Sequence, residues 1–306
     1  MPVLVLTIAE WGYAIIMSLV QGLTEFVPIS SSGQLSILNM FFDGDPQAAI
    51  DFYFFLHIPT TIAAVVYFRK DIKEFIVSWI PKLKTDSAKQ RQIAQLHKDA
   101  GEFSRAWAPK LREGMDSQRR TTVFLIISMF VTGSIGLAFS GHLAAFSSNL
   151  LILGIAFIVT AIMLVSSEYA LQKSKQQRSM DKLTPLRAIG IGLIQGFAVI
   201  PGISRSGATI AGGLWMGLSR VQATRYSFLL LIPIVIAGSL RDIVRLGQGT
   251  LILPNVWILI ISFILTAVVG YATIAWMIRL VSKTSLNWFA LYAVLLGFVL
   301  IGLYFF

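Results

Sequence analysis

The chain has 306 residues, 56% of them hydrophobic and 13% charged, with a net charge of +10. Soluble domains carry about 25% charged residues, so this composition, with a mean hydropathy of +0.74, excludes an ordinary water-soluble fold and marks a polytopic membrane protein. The absence of cysteine excludes disulfide, thiol and Cys-ligated metal chemistry, and the positive charge, lying between apolar spans, is loop bias and attraction to anionic headgroups rather than nucleic-acid binding.

Met1 to Phe42 is apolar but interrupted near its middle by Pro28, three serines and Gly33, and Phe41 to Gln47 reads as an acidic turn. No Lys or Arg precedes Arg69, so a cleavable signal peptide with a basic first region is not expected. Ala48 to Phe68 is long enough to span a bilayer, which takes about 20 residues. Asp51 lies near one end of it, where an interfacial helix cap is the stronger reading, and His57 sits inside, where a lone histidine is more readily structural than functional. Arg69 to Ile80 mixes charge with Phe75, Ile76, Trp79 and Ile80, as an interfacial amphipathic helix does. Residues 81–120 form a hydrophilic, partly helical cytoplasmic loop with ten Lys or Arg and five Asp or Glu. Further spans are Thr121 to Phe139, Asn149 to Ser167, Tyr226 to Leu240, Leu251 to Ile278 and Leu286 to Phe306.

Two stretches stand apart. From Ala188 to Leu218 the only charged residue is Arg205, set in Pro201-Gly202-Ile203-Ser204-Arg205-Ser206-Gly207-Ala208-Thr209. A lone arginine at a bilayer centre costs about 2.5–3.5 kcal/mol on insertion scales, so an anionic partner is expected. The small and hydroxyl residues around it supply the donors that hold a phosphate. From Trp11 to Phe42 the only charged residue is Glu25, and Gln21 to Gln34 lies over the second stretch without a gap, at the 174-residue offset that takes Gln21 to Gln195.

Loops rich in Lys and Arg face the cytoplasm, which puts 69–120, 168–187, 219–225 and 279–283 inside and 41–49, 140–148 and 241–250 outside. The thirteen residues from Ala188 to Ile200 are too few to cross, so 188–218 is expected to dip into the membrane and return, and 11–42 to do so from the opposite face. The expected fold is all-α and integral to the membrane, with six transmembrane helices and two re-entrant helix–loop–helix hairpins. Residues 1–167 and 168–306 would form an inverted-topology repeat with both termini outside. Such repeats place their sites at the midplane, and irregular backbone at that depth needs protein or a wet cavity around it. Glu25 and Arg205 are therefore expected in one pocket.

Gly22-Leu23-Thr24-Glu25-Phe26-Val27-Pro28-Ile29-Ser30-Ser31 and the stretch from Pro201 to Thr209 resemble the two signatures of the undecaprenyl-diphosphatase (bacitracin-resistance) family. Leu56-His57-Ile58 with Thr60, and Ser227-Phe228-Leu229-Leu230 with Ile232-Pro233, are similar to it too. The resemblance implies a plasma-membrane phosphatase that removes the terminal phosphate of a polyprenyl diphosphate, recycling a cell-wall lipid carrier. It further implies a divalent cation, Mg²⁺ or Ca²⁺, and a site opening to the outer face. Glu25 would be metal ligand and acid/base, Arg205 the phosphate clamp, and Ser31 the nucleophile, in competition with water activated by Glu25 or the metal. Substrate contacts are expected from Gln21, Ser30, Ser32, Gln34, Ser204, Ser206, Gly207 and Thr209, with helix capping an equal reading for Ser204, Ser206 and Thr209. Gln21 and Gln34 stand where the family usually carries Glu and His, which leaves the chemistry to Glu25, a serine and Arg205. A polyprenyl-phosphate flippase, or a catalytically silent relative, is the alternative; a homodimer is left open.

Overall fold

The computed structural model describes residues 8–42, 46–79, 101–139, 143–174, 177–248 and 252–306. Among the described residues there are twelve α-helices and no strand. In chain order they are α1 (Ile8–Thr24), α2 (Ser31–Phe41), α3 (Pro46–Tyr67), α4 (Arg69–Trp79), α5 (Gly101–Phe139) and α6 (Leu143–Ser147), followed by α7 (Leu150–Lys173), α8 (Pro185–Phe197), α9 (Arg205–Trp215), α10 (Arg220–Gly247), α11 (Val256–Val281) and α12 (Asn287–Phe305). Six of these, α3, α5, α7, α10, α11 and α12, are long and apolar enough to cross a membrane. The chain is an all-α, multi-pass membrane protein.

Local sequence sets where helices begin. Asn149 caps α7 by accepting from the N–H groups of Leu151 and Ile152, and Thr184 caps α8, whose first residue is Pro185. Helix α11 starts at Val256, not at residue 251 as predicted, because Pro254 disfavours helical backbone at residue 253 and Asn255 supplies the cap. The basic loop, expected to be partly helical, carries helix from Gly101, and the stretch predicted as an outer turn is largely helical. Helix α5 starts at Gly101, inside the predicted basic loop, whose 81–100 portion lies outside the described residues. Helix α10 runs through most of the predicted outer turn at 241–250, with Arg245 holding the Asp51 carboxylate at 2.8 Å. Asp51 is thus no exposed cap: it is fully buried and also accepts from the Ile252 N–H at 2.9 Å.

Pairing helices in chain order across the two halves (α1 with α8, α2 with α9, α3 with α10, α5 with α11, α7 with α12) relates the packing of one half to that of the other. Helix α1 packs on α11 as α8 packs on α5, while the α3–α10 and α7–α12 pairs map onto themselves. Two ion pairs follow the same relation with their signs exchanged. Asp51 holds Arg245 at one end of α3, and Asp71 holds Arg225 just beyond the other, with positions 51 and 225, and 71 and 245, each 174 apart. Between α7 and α12 the backbones touch. A Cβ on Gly154 would sit 2.8 Å from the Gly297 carbonyl oxygen, and one on Gly297 2.7 Å from that of Gly154, the close approach that drives helix association in lipid. Glu168, buried, accepts from Arg220 at 2.8 Å and from the Leu286 N–H at 3.0 Å, tying α7, α10 and the start of α12 together.

Candidate active site

Two helix–turn–helix units, α1–α2 and α8–α9, meet at their turns. Each second helix is capped by a serine: Ser30 accepts from the Gly33 N–H at 3.2 Å, and Ser204 from the Gly207 N–H at 3.0 Å. The turns are bonded to each other, with the Gly202 N–H donating to Ser30 Oγ at 3.2 Å and Ser206 Oγ donating to the Val27 carbonyl at 3.0 Å. Gly202 has φ +95°, and a Cβ there would lie 2.7 Å from Ala156. Ser30 holds φ +64°, a conformation costing a non-glycine residue about 1–3 kcal/mol and persisting only where the surroundings enforce it. The crossing brings the N-terminal ends of α2 and α9, with their unpaired N–H groups and partial positive charge, to one place.

At that place Glu25 is buried, its side chain 2% exposed, and its two oxygens carry different partners. Oε1 faces Arg205 Nη1 at 3.7 Å, while Oε2 accepts from Ser31 Oγ at 2.6 Å and from Gln21 Nε2 at 3.0 Å. A buried carboxylate is tolerable only when charge-paired and hydrogen-bonded, and Glu25 is both. His57, from α3, completes the group. Its Nδ1 meets the Tyr53 carbonyl at 2.7 Å, so that nitrogen carries the hydrogen, and Nε2 accepts from Arg205 Nη2 at 3.2 Å and lies 3.6 Å from Glu25 Oε2. Beside them lies a cavity of about 260 Å³, lined by Arg205, His57, Ser32 and Gln195 on its polar side and by Tyr53, Phe54, Ile234 and Val235 among its apolar walls.

The structure therefore brings Glu25, Ser31, Arg205 and Gln21 together, as expected, and places Ser32 on the cavity. Ser30, Ser204 and Ser206 are instead bonded within the crossing, Gly207 donates to the Ser204 cap, and Thr209 donates to Gln195 and to the Arg205 carbonyl. Gln34 points away from the group, its amide oxygen accepting from Tyr292 of α12 at 3.1 Å. His57, read from the sequence as more readily structural, stands beside Arg205 and Glu25 and lines the cavity. One signal could have found it, because an ionisable side chain inside a span is functional by default.

Hard divalent cations take oxygen ligands, and Mg²⁺ commonly uses one or two carboxylates plus substrate phosphates. Gln21 Oε1 is a buried oxygen with no hydrogen-bond partner, on the residue that donates to Glu25. That orphaned oxygen and the Glu25 carboxylate are of the ligand type such an ion takes. Among the described residues no group of three or more His, Asp or Glu is placed to hold a metal ion.

The model of the family described as bacitracin resistance protein BacA matches residues 14–299. This chain belongs to the BacA family. It is 36% identical over 300 residues to an undecaprenyl-diphosphatase of Mycolicibacterium smegmatis, covering 96% of each chain. It is 34% identical over 295 residues to one of Bacteroides fragilis, covering 95% of this chain and 97% of the other, and 34% identical over 290 residues to one of Thermobifida fusca, covering 95% and 89%. The BacA match includes both turns, Glu25 and Arg205, and leaves out only residues near the two ends.

Proposed function

We propose that this BacA-family chain is an undecaprenyl-diphosphatase, a membrane hydrolase that takes the terminal phosphate from a polyprenyl diphosphate and returns the lipid carrier as its monophosphate. The observation that carries this reading is the 2.6 Å hydrogen bond from the Ser31 hydroxyl to the Glu25 carboxylate, beside the Arg205 guanidinium. A hydroxyl bonded to a carboxylate is an activated nucleophile, and a guanidinium next to it is a two-pronged phosphate ligand.

Ser31 Oγ attacks the terminal phosphorus and its proton passes to Glu25. The bond from that phosphorus to the bridging oxygen breaks, and the electron pair leaves with the lipid monophosphate, which takes the proton from Glu25. Water then attacks the phosphoserine, Glu25 accepts its proton and hands it to Ser31 Oγ as the Ser31–phosphorus bond breaks, and inorganic phosphate is released. Arg205 and the N–H groups at the starts of α2 and α9 stabilise the charge on the transferring group, which is most of what phosphoryl transfer requires. Glu25 and Gln21 would hold a divalent cation, which neutralises diphosphate charge when bound. Direct attack by water would use the same carboxylate.

The test is phosphate release from undecaprenyl diphosphate by the purified protein, with and without Mg²⁺. Release that is lost in Glu25→Gln and Arg205→Ala variants that still fold is the expected result; no release by the native protein would overturn it. Translocation of the lipid phosphate is a second reading, favoured by the sign-exchanged ion pairs at the two ends of α3; lipid movement in vesicles without phosphate release would establish it instead.

We also infer that the α1–α2 and α8–α9 units are re-entrant hairpins of an inverted repeat, entering from opposite faces, in the plasma membrane with the termini and the site outside. The shortness of α8 and α9, 13 and 11 residues, and the bonded turns support this. A cysteine replacing Ala145 should react with an impermeant maleimide from outside, and one replacing Arg178 only from inside; the reverse pattern would invert the orientation.

A further inference from the structure

The cavity beside Arg205 is too small for the lipid that the proposed reaction uses. At about 260 Å³ it falls below the roughly 300–1,000 Å³ of pockets that take drug-sized ligands, whereas a polyprenyl chain has tens of carbons. With the diphosphate against Arg205, the chain must leave the protein.

Three glycines line the cavity away from the hairpin turns: Gly133 and Gly136 on α5 and Gly238 on α10. Gly133 and Gly238 are also exposed, so the cavity meets the outer surface of the protein between these helices. A Cβ built on any of the three meets nothing within 4 Å. That separates them from Gly196, also on the cavity wall, where a Cβ would lie 2.5 Å from Ile135 and glycine is a packing requirement. A mid-helix glycine costs about 1 kcal/mol relative to alanine, and nothing in the packing around these three compensates for it. On α5, Phe130 and Leu137, about one helical turn before and after Gly133, are 66% and 75% exposed, an apolar border suited to acyl chains.

We propose that the glycine-walled gap between α5 and α10 is the passage through which the prenyl chain runs from the phosphate site into the bilayer. This rests on the lipid-diphosphatase reading for the identity of the chain that occupies it. Side chains at 133, 136 and 238 would then control access for long prenyl substrates.

The chain has no cysteine, so the gap can be probed residue by residue. Gly133→Cys, Gly136→Cys and Gly238→Cys proteins are prepared singly, with Gly302→Cys as the control, because Gly302 is equally open but lies on α12 away from the cavity. Each is alkylated with a bulky aromatic maleimide in detergent, with or without undecaprenyl diphosphate, and phosphate release is then measured. Alkylation at the three gap positions is expected to cut release at least tenfold, and bound lipid to slow their alkylation at least threefold, with neither effect at Gly302→Cys. Equal rates before and after alkylation, together with no protection, would overturn the passage. Protection by the lipid in a protein that releases no phosphate would keep the passage and overturn the phosphatase reading instead.

Discussion

Arg205 offers a planar fork 3.7 Å from the Glu25 carboxylate, and lysine can place only a point charge there. Arg205→Lys should therefore fold normally yet lose about 10²–10³-fold in kcat, the usual cost of removing one donor from a charge-stabilising site; a loss under threefold in a phosphate-release assay would remove Arg205 from the chemistry. His57 divides differently. A glutamine at 57 can still accept from Arg205, whereas a leucine cannot, so kcat of His57→Gln should stay within about tenfold of native while His57→Leu falls with the Arg205 variants. Equal losses in both would assign His57 some other role. Glu25 and Arg205 were legible in the sequence because each is the only charge in a long apolar stretch. His57 carried only the weaker signal of an ionisable side chain inside a span, since its partner Arg205 is 148 residues away and no local spacing announces the pair. Nor can sequence separate a serine that caps a helix from one that faces a cavity: Ser30 and Ser32 differ by two positions, and only the backbone direction divides them.

At the scale of elements, the crossing of the two turns depends on Ser30, which caps α2 and receives the Gly202 N–H. Ser30→Ala removes both bonds and leaves buried donors, so a destabilisation of about 1–3 kcal/mol is expected, with kcat falling because α2 and α9 lose their register. Thermal unfolding and phosphate release on the same preparation check this; unchanged values for both would show that the turns are held by something else. The two helix–turn–helix units were readable from their repeated Gln-Gly and Ile-Ser spacing and from prolines and glycines in otherwise apolar runs. The starts of α5 and the end of α10 were not. Both are rich in charge and adjoin a span, and composition does not distinguish a polar helical extension from a polar loop. In α10 the deciding fact is tertiary: Arg245 reaches a buried carboxylate on α3.

Across the whole molecule, the ion pairs lock helices that are distant in sequence. Glu168, its side chain 1% exposed, serves Arg220 and the Leu286 N–H together. Glu168→Ala leaves those partners unmatched and should destabilise the fold by about 3–5 kcal/mol, as breaking a buried pair does, without altering kcat in the fraction that remains folded. A specific loss of kcat with native stability would contradict that structural role. The repeat explains why such locks come in related places while the site does not: the offset that takes Asp51 to Arg225 takes Ser31 to Arg205 and Glu25 to Val199. At the site the same offset pairs a serine with an arginine and a carboxylate with a valine, so the proposed chemistry draws on residues that only one half supplies.

Whether Glu25 and Ser31 act as one unit at that site is the central question, and a double-variant cycle answers it. The kcat of Glu25→Gln, of Ser31→Ala and of the protein carrying both is measured on the same substrate under identical conditions. If the carboxylate works by activating that hydroxyl, the double variant will be no slower than the slower single variant. A double variant whose loss equals the product of the two single losses would show that the groups act independently and would contradict the mechanism.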